Sequence, residues 1–278
     1  MANITAADVN KLRQMTGTGM MDCKKALQEA EGDFEKAIDI LRKKGQKVAA
    51  KRADRDANQG YVVSGTTDDR TYAAVVMVNC ETDFVGKNEE FIQFANDVLN
   101  AGVAARVKDV AGLMPLRIGN VTIEEKMNEM LGKTGEKIQI AHYEVIEAPV
   151  TFAYNHHGNR LATVLGLNKT GVKGLEETGH EIAMQVAAMA PVAVDVKDVD
   201  PKTIEREIEI GKEQALQEGK PADMLEKIAM GKLNRFYKEN TLLNQDFIRD
   251  NKKTVKQYLS ETDKELTVTG FKRLMLGA

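Results

Sequence analysis

Tryptophan is absent and aromatic residues make up only 5% of the 278 positions. That leaves little material for a stacking platform that would hold single-stranded nucleic acid. Cysteine occurs only as Cys23 and Cys80, too few for a disulfide framework, so a reducing cytoplasm is the expected location. No window approaches the roughly 18 consecutive apolar residues that cross a bilayer. The start, Met1 to Thr5, lacks the basic-then-apolar pattern of a secretory signal. Neither charge dominates: 39 Lys and Arg face 42 Asp and Glu, a net charge of −3, which excludes a wholly basic nucleic-acid binder. Serine is confined to Ser64 and Ser260, and neither sits in a nucleophile elbow.

What is present reads as a globular α+β chain, 42% hydrophobic and 29% charged, long enough for two or more domains. The first 41 residues carry three short helical stripes. Thr5-Ala6-Ala7-Asp8 has the pattern of a capping box, with Val9 and Leu12 on one face behind it. Gly17-Thr18-Gly19 makes a turn before Met20, Cys23, Leu27 and Ala30. Gly32 and Asp33 punctuate a third stripe of Phe34, Ala37, Ile38 and Leu41. These predict a compact three-helix module ending near residue 41. A basic run follows, Arg42, Lys43, Lys44, Lys47, Lys51, Arg52 and Arg55, with Asp54 as its single acid. Residues 1–55 hold 12 basic and 8 acidic side chains, so this end is +4 and the remainder −7. The run suits a solvated linker or an extended helix end, and is also the one stretch suited to phosphate.

From Tyr61 the pattern changes to strands. Tyr61–Val63 and Thr71–Val78 flank turn residues and predict a hairpin, followed by a helix through Phe91, Phe94, Ala95 and Val98. A helix is expected from Thr122 to Leu131 and a strand from Ile138 to Ile146. A second hairpin, Val150–Tyr154 with Arg160–Leu167, leads to a helix bearing Ile182, Ala183, Val186, Ala187 and Ala190. The two halves repeat a hairpin-plus-helix plan, which predicts two related α+β subdomains. Pro201 then opens a helix, Gly219-Lys220-Pro221 turns the chain, and Met224, Leu225, Ile228 and Leu233 line a second helix. This is a helical hairpin that projects from the body or docks another chain, including a second copy of itself as a homodimer. Thr267–Phe271 predicts a closing strand. The expected division is a module with its linker over 1–55, a first core subdomain over 56–140, a second over 141–200 and 234–278, and the inserted hairpin over 201–233.

No catalytic site assembles from the sequence. Gly132-Lys133-Thr134 ends like a phosphate loop, but Met127 stands where its first glycine is needed. Gly17-Thr18-Gly19 has Asp22 at the third glycine position and no preceding strand. No Cys and His fall at zinc spacing. His156-His157 reads as a surface turn, an interface contact or a metal site, and Cys80 near Asp83 either as a core thiol or as a nucleophile. Glu81-Thr82-Asp83-Phe84-Val85 remains, between a strand and a helix. It reads as a cap and staple for the coming helix, or as an apolar wedge, Phe84, with a charge beside it.

Arg13-Gln14-Met15-Thr16-Gly17-Thr18-Gly19-Met20-Met21-Asp22-Cys23-Lys24-Lys25-Ala26-Leu27 resembles the N-terminal signature of the bacterial elongation factor Ts family. Asn79-Cys80-Glu81-Thr82-Asp83-Phe84-Val85 resembles that family's second signature, and Tyr154-Asn155-His156-His157-Gly158-Asn159-Arg160 its tyrosine–histidine–arginine turn. The resemblance implies a guanine nucleotide exchange factor for the GTPase elongation factor Tu: not an enzyme, with no cofactor, no metal and no nucleotide site of its own. It also implies a module like the ubiquitin-associated domain, a core of two related subdomains and a helical hairpin. Arg13, Met20, Met21, Asn79 and His156 would meet the partner, while Thr82, Asp83, Phe84 and Val85 would displace its magnesium ion. The chain stops at Gly277-Ala278, where some members continue into a further helical contact, so that contact is expected to be absent. Gly86, where members often carry Ala, is expected to loosen the helix start. His156 rather than His157 fits the family spacing from Tyr154. The alternative is a non-enzymatic adaptor that uses the module and the hairpin to bind protein or RNA.

Overall fold

The computed structural model describes residues 4–51 and 55–277. Thr5 caps α1 (Ala6–Thr16) in a capping box, its hydroxyl accepting from the Asp8 N–H at 3.2 Å while the Asp8 carboxylate accepts from the Thr5 N–H at 3.0 Å. Two further helices follow, α2 (Met20–Glu29) and α3 (Phe34–Lys51). Val9, Leu12, Cys23, Leu27, Ala30, Ala37 and Leu41 bury one another as their spacing predicts, joined by Ala26, whereas Met20 of the expected second stripe is exposed. The third helix does not stop near residue 41 but runs on to Lys51. Gly45 does not end it: a side chain there would stand 3.0 Å from the Asn128 carbonyl, so the missing Cβ lets the helix lie close to that part of the core. The basic run is thus a helical continuation as far as Lys51. Arg52 and Asp54, with the side chains of Lys47 and Lys51, lie outside the described residues.

The core begins with β1 (Gln59–Thr66) and β2 (Tyr72–Cys80), then the single turn α4 (Asp83–Gly86) and α5 (Glu89–Ala105). After α6 (Val110–Leu113), a two-residue ribbon of β3 (Arg117–Ile118) and β4 (Val121–Thr122) leads into α7 (Ile123–Thr134) and β5 (Gln139–Glu147). The sheet order is β1-β2-β5, antiparallel throughout. Its last strand corrects the expected division at residue 140. Strand β5 hydrogen-bonds to β2, from Asn79 opposite Gln139 to Tyr72 opposite Glu147, so residues 139–147 belong to the first sheet.

The second sheet repeats the plan. It comprises β6 (Val150–Asn155), β7 (Leu161–Leu167) and, after α8 (Leu175–Met189), a long excursion that returns as the closing strand. The excursion is the hairpin α9 (Pro201–Gln217) and α10 (Leu225–Asn240), a ribbon of β8 (Asp246–Phe247) and β9 (Asp250–Thr254), and α11 (Val255–Thr262); β10 (Val268–Met275) then pairs with β7. Each central strand, β2 or β7, leads through a loop to the helix that covers its sheet.

The sheets stack face to face with α5 and α8 outside. Every residue of β2 is buried, because both faces of the strand are covered. Tyr72, Ala74, Val76, Val78 and Cys80 face α5, whereas Ala73, Val75 and Met77 meet Ala162 and Val164 of the other sheet. The period of two therefore sorts one apolar run between two cores. In the helical hairpin, Ala215, Ala229 and Leu233 are buried. Gly211 lies so close to Ala229 that a side chain on it would stand 3.1 Å from that Cα. The narrow seam thus closes within the chain, leaving Leu216, Met224 and Met230 exposed on the hairpin.

Candidate functional site

The sequence placed the tetrapeptide Thr82 to Val85 between a strand and a helix, and the structure shows what holds it. Thr82 is the N-cap of α4, its hydroxyl accepting from the Val85 N–H at 3.4 Å. Val85 turns inward and packs on the α5 core, which is the staple function. Phe84 does not: it is 83% exposed, the most exposed large apolar side chain among the described residues. Asp83 lies on the surface in an ion pair with Lys87 at 2.7 Å. That hydrogen bond and charge hold its carboxyl below the usual carboxylate range, so Asp83 is ionised at neutral pH.

Gly86 is buried, and a side chain on it would stand 3.3 Å from the backbone N and O of Gly60. The missing Cβ thus lets the loop approach β1 closely. Asn79 departs from expectation. Its side chain is 9% exposed and donates to the Ala57 carbonyl at 2.7 Å. It secures the strand end and leaves little of the residue exposed.

Two other motifs gather beside this loop. Asp83, Gly86 and Lys87 share a cavity of about 340 Å³ with Gly158, Asn159 and Arg160 of the second turn. That turn is held on the edge of β1: the Val62 N–H donates to the Asn159 carbonyl at 2.8 Å, and the Asn159 side chain returns a bond to the Val62 carbonyl at 3.2 Å. His156 and His157 are exposed on it. The Nδ1 of His156 lies 3.0 Å from the Tyr154 hydroxyl, and the Tyr154 ring meets His180 edge-on at 5.6 Å. No group of three or more metal-type ligands converges among the described residues.

On the other side, Val85 shares a cavity of about 240 Å³ with Gly17 of the N-terminal module. Gly17 sits at φ 64° as the cap of α1, and a side chain on it would collide with the stem of Lys133. Lys133 is in turn fixed by Glu90 at 2.6 Å. Arg13, Met15, Met20 and Met21 of the module are all exposed. Three stretches far apart in sequence thus flank one another, with Phe84 projecting from the middle one. The residues that link them, Lys133, Asn159 and Arg160, were not singled out as a group, because their partners are remote in sequence.

Cys80 is fully buried, and its Sγ lies 3.1 Å from the Thr82 carbonyl. Burial, with the Glu136 charge nearby, pushes its thiol up to about 12. It is a core thiol and has no nucleophilic character at neutral pH. No helix among the described residues is long and apolar enough to cross a membrane.

Comparison with known proteins agrees with these motifs. The family model described as "Elongation factor TS" matches residues 81–278. The protein named elongation factor Ts in Christiangramia forsetii is 50% identical over 277 residues, covering 100% of both chains. The protein of that name in Cytophaga hutchinsonii is 50% identical, covering 99% of this chain and all of its own. The one in Amoebophilus asiaticus is 47% identical over 99% of each. With identity at this level along the whole chain, the protein belongs to the bacterial elongation factor Ts family.

Proposed function

We propose that the chain promotes GDP release from elongation factor Tu, and so its exchange for GTP, by docking the face just described and driving Phe84 into the partner beside its magnesium site. The observation that carries this reading is a large apolar side chain left 83% exposed on a loop whose every other apolar group is buried or half-buried. Burying such a ring in a partner yields about 2 kcal/mol or more, and an isolated fold gains nothing from displaying it.

The mechanism is differential binding. A GTPase holds GDP through its phosphate loop and a magnesium ion that neutralises phosphate charge. A factor that prefers the nucleotide-free state weakens GDP by the same factor, because coupling between two ligands is reciprocal. Each ~1.4 kcal/mol of coupling weakens GDP tenfold. Phe84 supplies coupling by occupying space that opens only in the rearranged partner. Asp83 brings a negative charge next to the metal's hydration shell, after exchanging its own partner Lys87. The exposed Arg13, Met20 and Met21 dock the module, and His156 with its turn docks a second part of the partner; Thr82 and Val85 set the loop. No covalent bond changes, so the chain acts as an exchange factor and not as an enzyme. The test is release of labelled GDP from elongation factor Tu with and without this protein. Acceleration supports the reading, and unchanged release contradicts it.

A further inference from the structure

The loop that carries Phe84 is fastened from below by two carboxylates that cross in opposite directions. The Thr82 N–H donates to Glu136 Oε2 at 3.0 Å and the Thr82 hydroxyl to Glu136 Oε1 at 2.6 Å. In return, the Lys137 N–H donates to Glu81 Oε1 at 2.7 Å. The segment after β2 and the segment entering β5 are thereby latched to each other through charge-assisted bonds, the stronger class. Glu136 is half-buried and takes both of its bonds from one residue.

The consequence for Phe84 runs through a single proton. The Thr82 hydroxyl has one hydrogen and two lone pairs. With the hydrogen directed to Glu136, its lone pairs are left for the Val85 N–H, the contact that starts α4. Phe84 lies inside that turn and is left 83% exposed, so its direction is set chiefly by the backbone. The sheet does not depend on this latch: β5 has its own ladder to β2, and α7 has its own cap at Gly135.

We infer that Glu136 is a positioning residue for nucleotide exchange, its carboxylate fixing Thr82 and through it the aim of Phe84, with Glu81 as the other half of the latch. The inference rests on the reading of Phe84 as the wedge. A loop ordered in the free protein does not lose that freedom on docking. The wedge contact belongs to the rearranged state, so loosening the loop lowers the maximal release rate more than it weakens docking.

The test compares Glu136→Gln with Phe84→Ala and the double variant in the full chain, with elongation factor Tu and labelled GDP. Glutamine keeps the shape but removes the charge, and where its amide N–H faces the Thr82 hydroxyl that hydroxyl must turn its own proton away and accept instead. The expected result is a maximal release rate about tenfold lower, a half-saturating concentration within about twofold of the parent, and amide hydrogen exchange about tenfold faster at residues 82–87 alone. The double variant is expected to be no slower than Phe84→Ala. Thr82→Val removes the hydroxyl leg and with it the cap on the Val85 N–H, so it is expected to slow release at least as much as Glu136→Gln and serves if Glu136→Gln does not fold. A slow Phe84→Ala beside a Glu136→Gln of parental rate and parental loop protection overturns the inference and leaves the wedge standing. So does additivity in the double variant. A Phe84→Ala of parental rate overturns the wedge and the inference together, while loop protection still reports whether the latch exists.

Discussion

Asn155 closes on Ser64 as if it were a neighbouring strand. Its Oδ1 accepts from the Ser64 N–H at 2.7 Å and the Ser64 hydroxyl at 3.1 Å, and its Nδ2 donates to the Ser64 carbonyl at 2.9 Å. A side chain at the end of β6 thus completes the edge of β1 in the other sheet, and the His156 turn begins one residue later.

Asn155→Ala removes that closure and leaves the Ser64 backbone groups without it. At about 1 kcal/mol for each bond to the backbone, denaturant titration is expected to show a loss of about 2 kcal/mol. Ser64→Ala keeps the backbone pair and is expected to lose less than half as much. Equal losses would show that the backbone mimicry contributes little.

Two buried glycines are expected to respond unequally to alanine. At Gly179 in α8 a methyl group would fall within the Phe152 ring, and overpacking of this kind costs about 1–3 kcal/mol. At Gly86 the nearest atoms, the backbone N and O of Gly60, stand 3.3 Å away, so a methyl group asks for a shift of only a few tenths of an ångström. Thermal melts are expected to show Gly179→Ala clearly below the parent and Gly86→Ala close to it.

Alkaline pH should test the buried thiol. The Cys80 thiol is raised from 9.0 to about 12, chiefly by burial, so the folded chain holds this proton more tightly than the unfolded one. Its contribution is present in full below pH 9 and is lost as pH rises toward 12. Tyr72 and Tyr143 are also raised, from 10.0, chiefly by burial, and their loss begins later. Stability measured from pH 8 to 10 is expected to fall in the parent and to fall less in Cys80→Ala. Identical slopes would contradict the assignment.

Much of this fold is legible in the sequence for a physical reason. The two central strands are covered on both faces, so they appear as apolar runs, and Tyr72 to Cys80 needs no partner to be recognised. Strand β5 was legible as a strand but not as a member of the first sheet, since an alternating pattern after α7 fits either sheet. Strand β9 is written Asp-Asn-Lys-Lys-Thr and α11 buries only Val255 and Leu259, so neither carries a strong pattern. The loop of Phe84 was visible as a motif. Its fastening to Glu136, 54 positions away, has no local signature, and the same holds for the cavity that joins Asp83 to Arg160.

The most direct measurement is stimulated GDP release by Phe84→Ala. The ring is exposed, so its removal leaves the core intact, and circular dichroism with a melt is expected to match the parent. Release from elongation factor Tu is expected to be at least about tenfold slower at saturating protein. A folded Phe84→Ala variant that releases GDP as fast as the parent would contradict the account.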